Sequence, residues 1–126
     1  MGGKIKGSAA ERELVSMLWG SNWAAVRAAG SGVTKFYCPD VIASNGKSVI
    51  AFECKSTKYK YQHLDSQQIS DLEKFAKAFN AKPVIAVKFS AEWKFFGIDD
   101  LQKTKNHFSV TYDNANAKFF SDFVKF

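Results

Sequence analysis

The segment 40–55 constrains this chain more than any other. It reads as two strands, Asp40–Ala43 and Ser48–Lys55, joined at Asn45-Gly46. Both joining residues tolerate the positive φ of a tight turn, which makes the pair a strong hairpin signal. The second strand is apolar on both sides: Ile50, Phe52 and Cys54 share one face, Val49 and Ala51 the other. A strand with two apolar faces belongs inside a sheet covered by a layer on each side. Yet Glu53 and Lys55 follow Ala51 on the same face, since side chains alternate along a strand. Buried charges need partners or a metal, because desolvating them alone is costly.

The flanking sequence supplies the covering layers. Residues 8–20 read as a helix, with Ser8 as N-cap, Glu11 completing a capping box, and Leu14, Val15 and Leu18 at helical spacing. Trp23–Ala28 reads as a strand and Ala29–Tyr37 as a loop. Ser66–Phe79 reads as a second helix capped by Ser66, with Ile69, Leu72, Phe75, Ala76 and Phe79 on one face. Pro83–Phe89 and Glu92–Ile98 read as strands joined by a hairpin, His107–Tyr112 as a last strand, and Ala115–Phe126 as a short apolar helix. The expected class is α/β: a central mixed sheet flanked by helices. The 126 residues suffice for one domain, 1–126, with residues 1–7 a short flexible basic arm.

The net charge of +6 is uneven. Residues 1–60 carry nine Lys/Arg against four Asp/Glu, residues 61–126 nine against eight. The excess beside the buried acids suggests a polyanionic partner, and nucleic acid rather than a membrane, because no basic amphipathic helix is present. The alternative is a protein that is merely soluble and basic. The longest apolar stretches, such as Pro83–Val87, are too short to span a bilayer, and the N-terminus lacks the apolar run of a secretory signal. A cytoplasmic, nucleoid-associated location is expected. Cys38 and Cys54 lack metal-binding spacing and read as reduced cysteines.

A hairpin loop centred on Asn45-Gly46 pairs Ala43 with Ser48 and sets Asp40 opposite Ala51. Glu53 is then the diagonal neighbour of Asp40, roughly 7–8 Å away at the backbone. Two carboxylates so placed can share one cation. Glu11 starts the inward stripe of the first helix and is a candidate third acid; serving the capping box alone is the alternative. Three oxygen-bearing acids suit Mg²⁺, with Mn²⁺ as a substitute, rather than zinc. Such an ion lowers the pKa of a water and polarises a phosphate. Lys55 is placed to orient that water or to offset developing phosphoryl charge. The competing reading of Asp40 and Glu53 is a hairpin with a salt bridge to a lysine. No motif points to an organic cofactor.

Pro39-Asp40 followed by Glu53-Cys54-Lys55 resembles the PD-(D/E)XK nuclease signature. More closely, the chain is similar to the archaeal Holliday junction resolvases. The stretches that carry this are KGSAAERELV (6–15), AVRAAGS (25–31), PDVIA (39–43), AFECKS (51–56) and QISDLEKFAKAFNAKPVIAVKF (68–89). The resemblance spans about residues 4–98 and implies a restriction-endonuclease-like core. It implies metal binding by Glu11, Asp40 and Glu53 and a catalytic Lys55. It also implies a serine near the scissile phosphate, Ser31, and a polar residue close to the site, Gln68, with Gln67 adjacent. The implied activity is symmetric paired nicking of four-way DNA junctions by a homodimer. The 32–38 loop, GVTKFYC, departs from the pattern in being less basic than in some relatives.

Lys4, Lys6, Arg27, Ser31, Lys35, Lys58 and Lys60 are the candidate DNA contacts; contacts of lysine and arginine to phosphate confer affinity without sequence information. Lys58-Tyr59-Lys60-Tyr61 alternates cation and ring, as a stacking surface or as an ordinary solvated edge. His63 and His107 read as non-catalytic, and Asp99-Asp100 as a helix start. Trp93, Phe95 and Phe96 are either an exposed remainder suited to a dimer interface or part of a two-sided core strand. The rival functions are another PD-(D/E)XK nuclease of repair or restriction type, and a non-catalytic DNA-binding module with a nuclease-like core.

Overall fold

The structure, a computed structural model, describes residues 2–28 and 36–124, with side chains from residue 8 onward. Helix α1 (Gly2–Trp19) leads into β1 (Ala24–Arg27), the hairpin β2 (Val41–Ser44) and β3 (Val49–Thr57), and β4 (Tyr61–Asp65). Then come α2 (Ser66–Phe79), β5 (Lys82–Phe89) and β6 (Glu92–Phe96). A 3-10 turn (Ile98–Asp100), β7 (Gln102–Thr104), β8 (His107–Thr111) and the short α3 (Phe120–Phe123) complete the chain. A five-stranded sheet runs in the order β1-β2-β3-β5-β6, and β4-β8-β7 form a second, three-stranded one. The pair β3–β5 is parallel and the other pairs are antiparallel, so the large sheet is mixed as expected.

β3 is the middle strand, as its two apolar faces require. Ile50, Phe52 and Cys54 pack with Ala10, Leu14 and Leu18 of α1 and with Phe95 and Phe123. On the other face Ala51 packs with Ile69, Leu72 and Ala76 of α2 and with Leu64 and Val110 of the small sheet. The charged end of β3 lies on this second face, under α2.

Several expectations change. α1 begins at Gly2, so residues 2–7 continue the helix instead of preceding it as an arm, and Ser8 cannot be an N-cap. The cap of α2 is Asp65, whose side chain accepts from the Gln67 backbone N–H; Ser66 is the first helical residue. Phe79 is half exposed and stacks on Phe75. The C-terminal helix shrinks to α3, because residues before it bridge to Phe95 as a strand would. That cover buries both sides of β6: Trp93, Phe95 and Phe96 are at most 8% exposed, which leaves no apolar remainder there for a dimer interface.

Candidate active site

The hairpin has the expected turn and a different register. Asn45 accepts from the backbone N–H groups of Lys47 and Ser48, and Gly46 takes a φ of 91°. These bonds close a four-residue loop, so Ala43 pairs with Ile50 and Val41 with Phe52. The shift is two residues, which keeps every side chain on its face; a shift of one would have exchanged the faces. The register ends at Val41, and Asp40 lies at the bend just before it.

Asp40 is pinned to β3 by its own backbone and side chain. Its N–H donates to the Phe52 carbonyl at 3.0 Å, and its Oδ2 accepts from the Cys54 N–H at 2.8 Å. The bond to Cys54 sets the Asp40 carboxyl next to Glu53, and its charge acts on that side chain. Glu53 is 5% exposed. Burial, and then the charge of Asp40, push its carboxyl up to about 8, against the pull of Tyr37 and Lys55. Near neutral pH Glu53 therefore retains its proton, since a buried carboxyl beside another acid resists ionisation. Cys54, buried beside these acids, has its thiol pushed well up and is held as an inert neutral group.

Lys55 projects on the Glu53 side, where its Nζ donates to Gln68 Oε1 of α2 at 3.0 Å. Gln68 is thus the glutamine that faces the site; Gln67 turns away to Asp71. Tyr37 donates from its hydroxyl to Glu53 Oε1 at 2.9 Å. The sequence places Tyr37 in a loop, and its one signal there is its position three residues before Asp40.

Glu11 departs from expectation. Arg27 Nε reaches its Oε1 at 2.8 Å, and Arg27 Nη2 donates to Ser8 Oγ at 2.8 Å. Burial and the charge of Asp40 still raise the Glu11 carboxyl above its ordinary value, so it lies within the field of the pair. Among the described residues no three acid, histidine or cysteine side chains are grouped to hold a metal. The expected three-acid set is therefore a pair plus a neighbour engaged by Arg27. Arg27, expected to contact DNA, is correspondingly occupied.

Lys58 and Lys60 lie in the loop between β3 and β4 beyond Lys55, exposed, over the rings of Tyr59 and Tyr112 at 5.5 and 4.2 Å. Ser31 and Lys35, and the side chains of Lys4 and Lys6, lie outside the described residues. Cys38 and Cys54 are free, as expected. No helix of the described chain is long and apolar enough to cross a membrane.

The family model for archaeal Holliday junction resolvases (Hjc) matches residues 3–126. A crossover junction endodeoxyribonuclease Hjc of Archaeoglobus fulgidus is 38% identical over 108 residues, 85% of this chain and 79% of that protein. A crossover junction endodeoxyribonuclease Hje of Saccharolobus solfataricus is 34% identical over 113 residues, 86% of this chain and 81% of that protein. Among solved structures, Archaeoglobus fulgidus Hjc superposes with a TM-score of 0.86 at 31% identity, covering 95% of this chain and 96% of that one.

Proposed function

The chain belongs to the archaeal Holliday junction resolvase family and is a DNA-cutting hydrolase of the crossover junction class; from that premise we propose that it cuts four-way junctions by metal-dependent hydrolysis at Asp40, Glu53 and Lys55, as a homodimer with one site per subunit. The observation that carries this reading is the convergence of three groups: the buried Glu53, Asp40 bonded through Oδ2 to the N–H of the next residue, Cys54, and Lys55 held by Gln68.

The donor set fits a hard divalent cation. Glu53 retains its proton because burial and the charge of Asp40 outweigh the pull of Tyr37 and Lys55, and oxygen donors suit Mg²⁺ or Mn²⁺. Asp40 and Glu53 would hold the ion, and Glu11 would join them only by releasing Arg27. Bound there, the ion supplies Lewis acidity toward the scissile phosphate. The chain's own groups do the rest. Asp40 is fixed by two backbone bonds to β3, so its carboxyl needs no reordering. Gln68 holds the Lys55 ammonium on the Glu53 face, where it is poised to offset charge developing on the phosphoryl oxygens. Lys58 and Lys60 continue the cationic surface past the site toward the DNA backbone.

The test is cleavage of a labelled four-way junction with and without Mg²⁺, for the wild type and Glu53→Ala, with linear duplex as control. Metal-dependent nicking of the junction, lost in the variant and weak on duplex, is expected. Equal cutting of duplex would defeat the junction selectivity and leave a general nuclease. Cleavage in the presence of a chelator would defeat the metal requirement. Sedimentation of the free protein tests the dimer.

A further inference from the structure

We propose that Tyr37 is a positioning residue of the cleavage site, holding Glu53 in the rotamer with which it meets Asp40. The inference rests on the reading of Asp40 and Glu53 as the cation-binding pair. The short stretch Tyr37–Asp40 grips β3 at two adjacent residues. At one end the Tyr37 hydroxyl donates to Glu53 Oε1 at 2.9 Å, and at the other Asp40 is bonded through Oδ2 to the N–H of the next residue, Cys54, at 2.8 Å. Pro39, buried between them, restricts the backbone of Cys38 to extended conformations and so limits how Tyr37 can be presented.

The ring of Tyr37 is itself anchored. It packs edge-on against Phe75 of α2, with ring centroids 6.2 Å apart, and joins the second core cluster. A phenol seated in a core and aimed at a buried carboxylate is a rigid donor, because its two side-chain torsions are already set by packing. Glu53 otherwise has several rotamers, and the Tyr37 hydroxyl is the hydrogen-bond donor that fixes one of them. With Oε1 occupied by Tyr37, the remaining oxygen is the one left to share a cation with Asp40. Tyr37 touches neither substrate nor the reacting atoms in this role; it acts through Glu53.

The experiment compares the wild type with Tyr37→Phe, which keeps the ring and removes the donor. Mn²⁺ is titrated into the full-length protein without DNA, and thermal stability is recorded alongside. The expected result is a Kd for Mn²⁺ weakened about tenfold, in line with one charge-assisted hydrogen bond, with Tm changed by no more than a few degrees. In junction cleavage the half-saturating Mg²⁺ concentration should rise by a similar factor, while the rate at saturating Mg²⁺ changes far less. Tyr37→His, which retains a ring donor, should recover part of the Mn²⁺ affinity. Unchanged affinity in Tyr37→Phe would overturn the proposal. Loss of affinity and stability together, with no recovery in Tyr37→His, would also overturn it and leave Tyr37 a packing residue. A wild type that binds no Mn²⁺ would remove the metal reading, and this inference with it.

Discussion

Glu13 and Glu53 are both glutamates that accept a hydrogen bond from an aromatic side chain, and they behave in opposite ways. Glu13, on α1, takes the Trp93 indole N–H at 2.6 Å and the Lys88 ammonium at 2.9 Å. Those two bonds lower its carboxyl below the ordinary range. Glu53, on β3, takes the Tyr37 hydroxyl, but burial and then the charge of Asp40 raise its carboxyl to about 8. Lys55 is close enough to pull it down, yet the ammonium is bound to Gln68. The difference teaches which acid is structural. A carboxylate with its counter-ion in place is already satisfied. A buried pair without one has unspent attraction for a cation, and perturbed groups of that kind concentrate at functional sites.

The comparison breaks first in catalysis. Glu53→Gln should slow single-turnover cleavage of a four-way junction by about a thousandfold, whereas Glu13→Gln should leave the rate within about twofold. Equal losses would mean that Glu13 belongs to the site or that Glu53 does not. Lys55→Ala should cost about a hundredfold at saturating Mg²⁺, and Gln68→Ala about tenfold, because Gln68 only orients the ammonium. Measured affinity for the junction should change little in either.

The same contrast is legible in stability against pH. Glu53 has a folded value above its unfolded one, so its contribution is full below about pH 4.5 and is lost as pH rises to about 8. Glu13 has a folded value below its unfolded one, so its contribution is present above about pH 4.5 and is lost as pH falls further. Thermal melts in the presence of a chelator should therefore show Tm falling between pH 5 and 8. Glu53→Gln should flatten that limb, and Mg²⁺ should restore stability on the alkaline side. A chelated wild type whose Tm climbs steadily from pH 5 to 8 would contradict the raised carboxyl. The smallest effect is the stability cost of Glu13→Gln near neutral pH. It should be about 1 kcal/mol, since Glu13 is nearly half exposed and solvent screens the pair with Lys88.

Much of this was legible in the chain itself. Alternation put Glu53 and Lys55 on one face of a strand that had to be central, and Asn45-Gly46 brought Asp40 back beside it. Because the period of a strand is two, the register shift from Ala43–Ser48 to Ala43–Ile50 left those faces intact. The resemblance narrowed a metal nuclease to a junction resolvase, and Gln68 came from the resemblance alone.

What alternation cannot supply is the identity of partners that arrive from elsewhere in the chain. Glu11 sits on the inward stripe as expected, but Arg27 of the neighbouring strand reaches it at 2.8 Å, and no local pattern announces a bond across 16 residues. Trp93, Phe95 and Phe96 looked too many for one strand until the segment leading into α3 folded over β6. The small sheet escaped notice because β4 and β7 are short and largely exposed, which leaves them without a burial pattern. Strand period and turn chemistry are properties of a few consecutive residues, so the sequence alone determined the hairpin, the central strand and the common face of Asp40, Glu53 and Lys55. Hydrogen-bond partners and burial depend on which distant segments pack together. Tertiary structure therefore decided that Glu11 answers to Arg27, that Gln68 steadies Lys55, and that Tyr37 closes over Glu53.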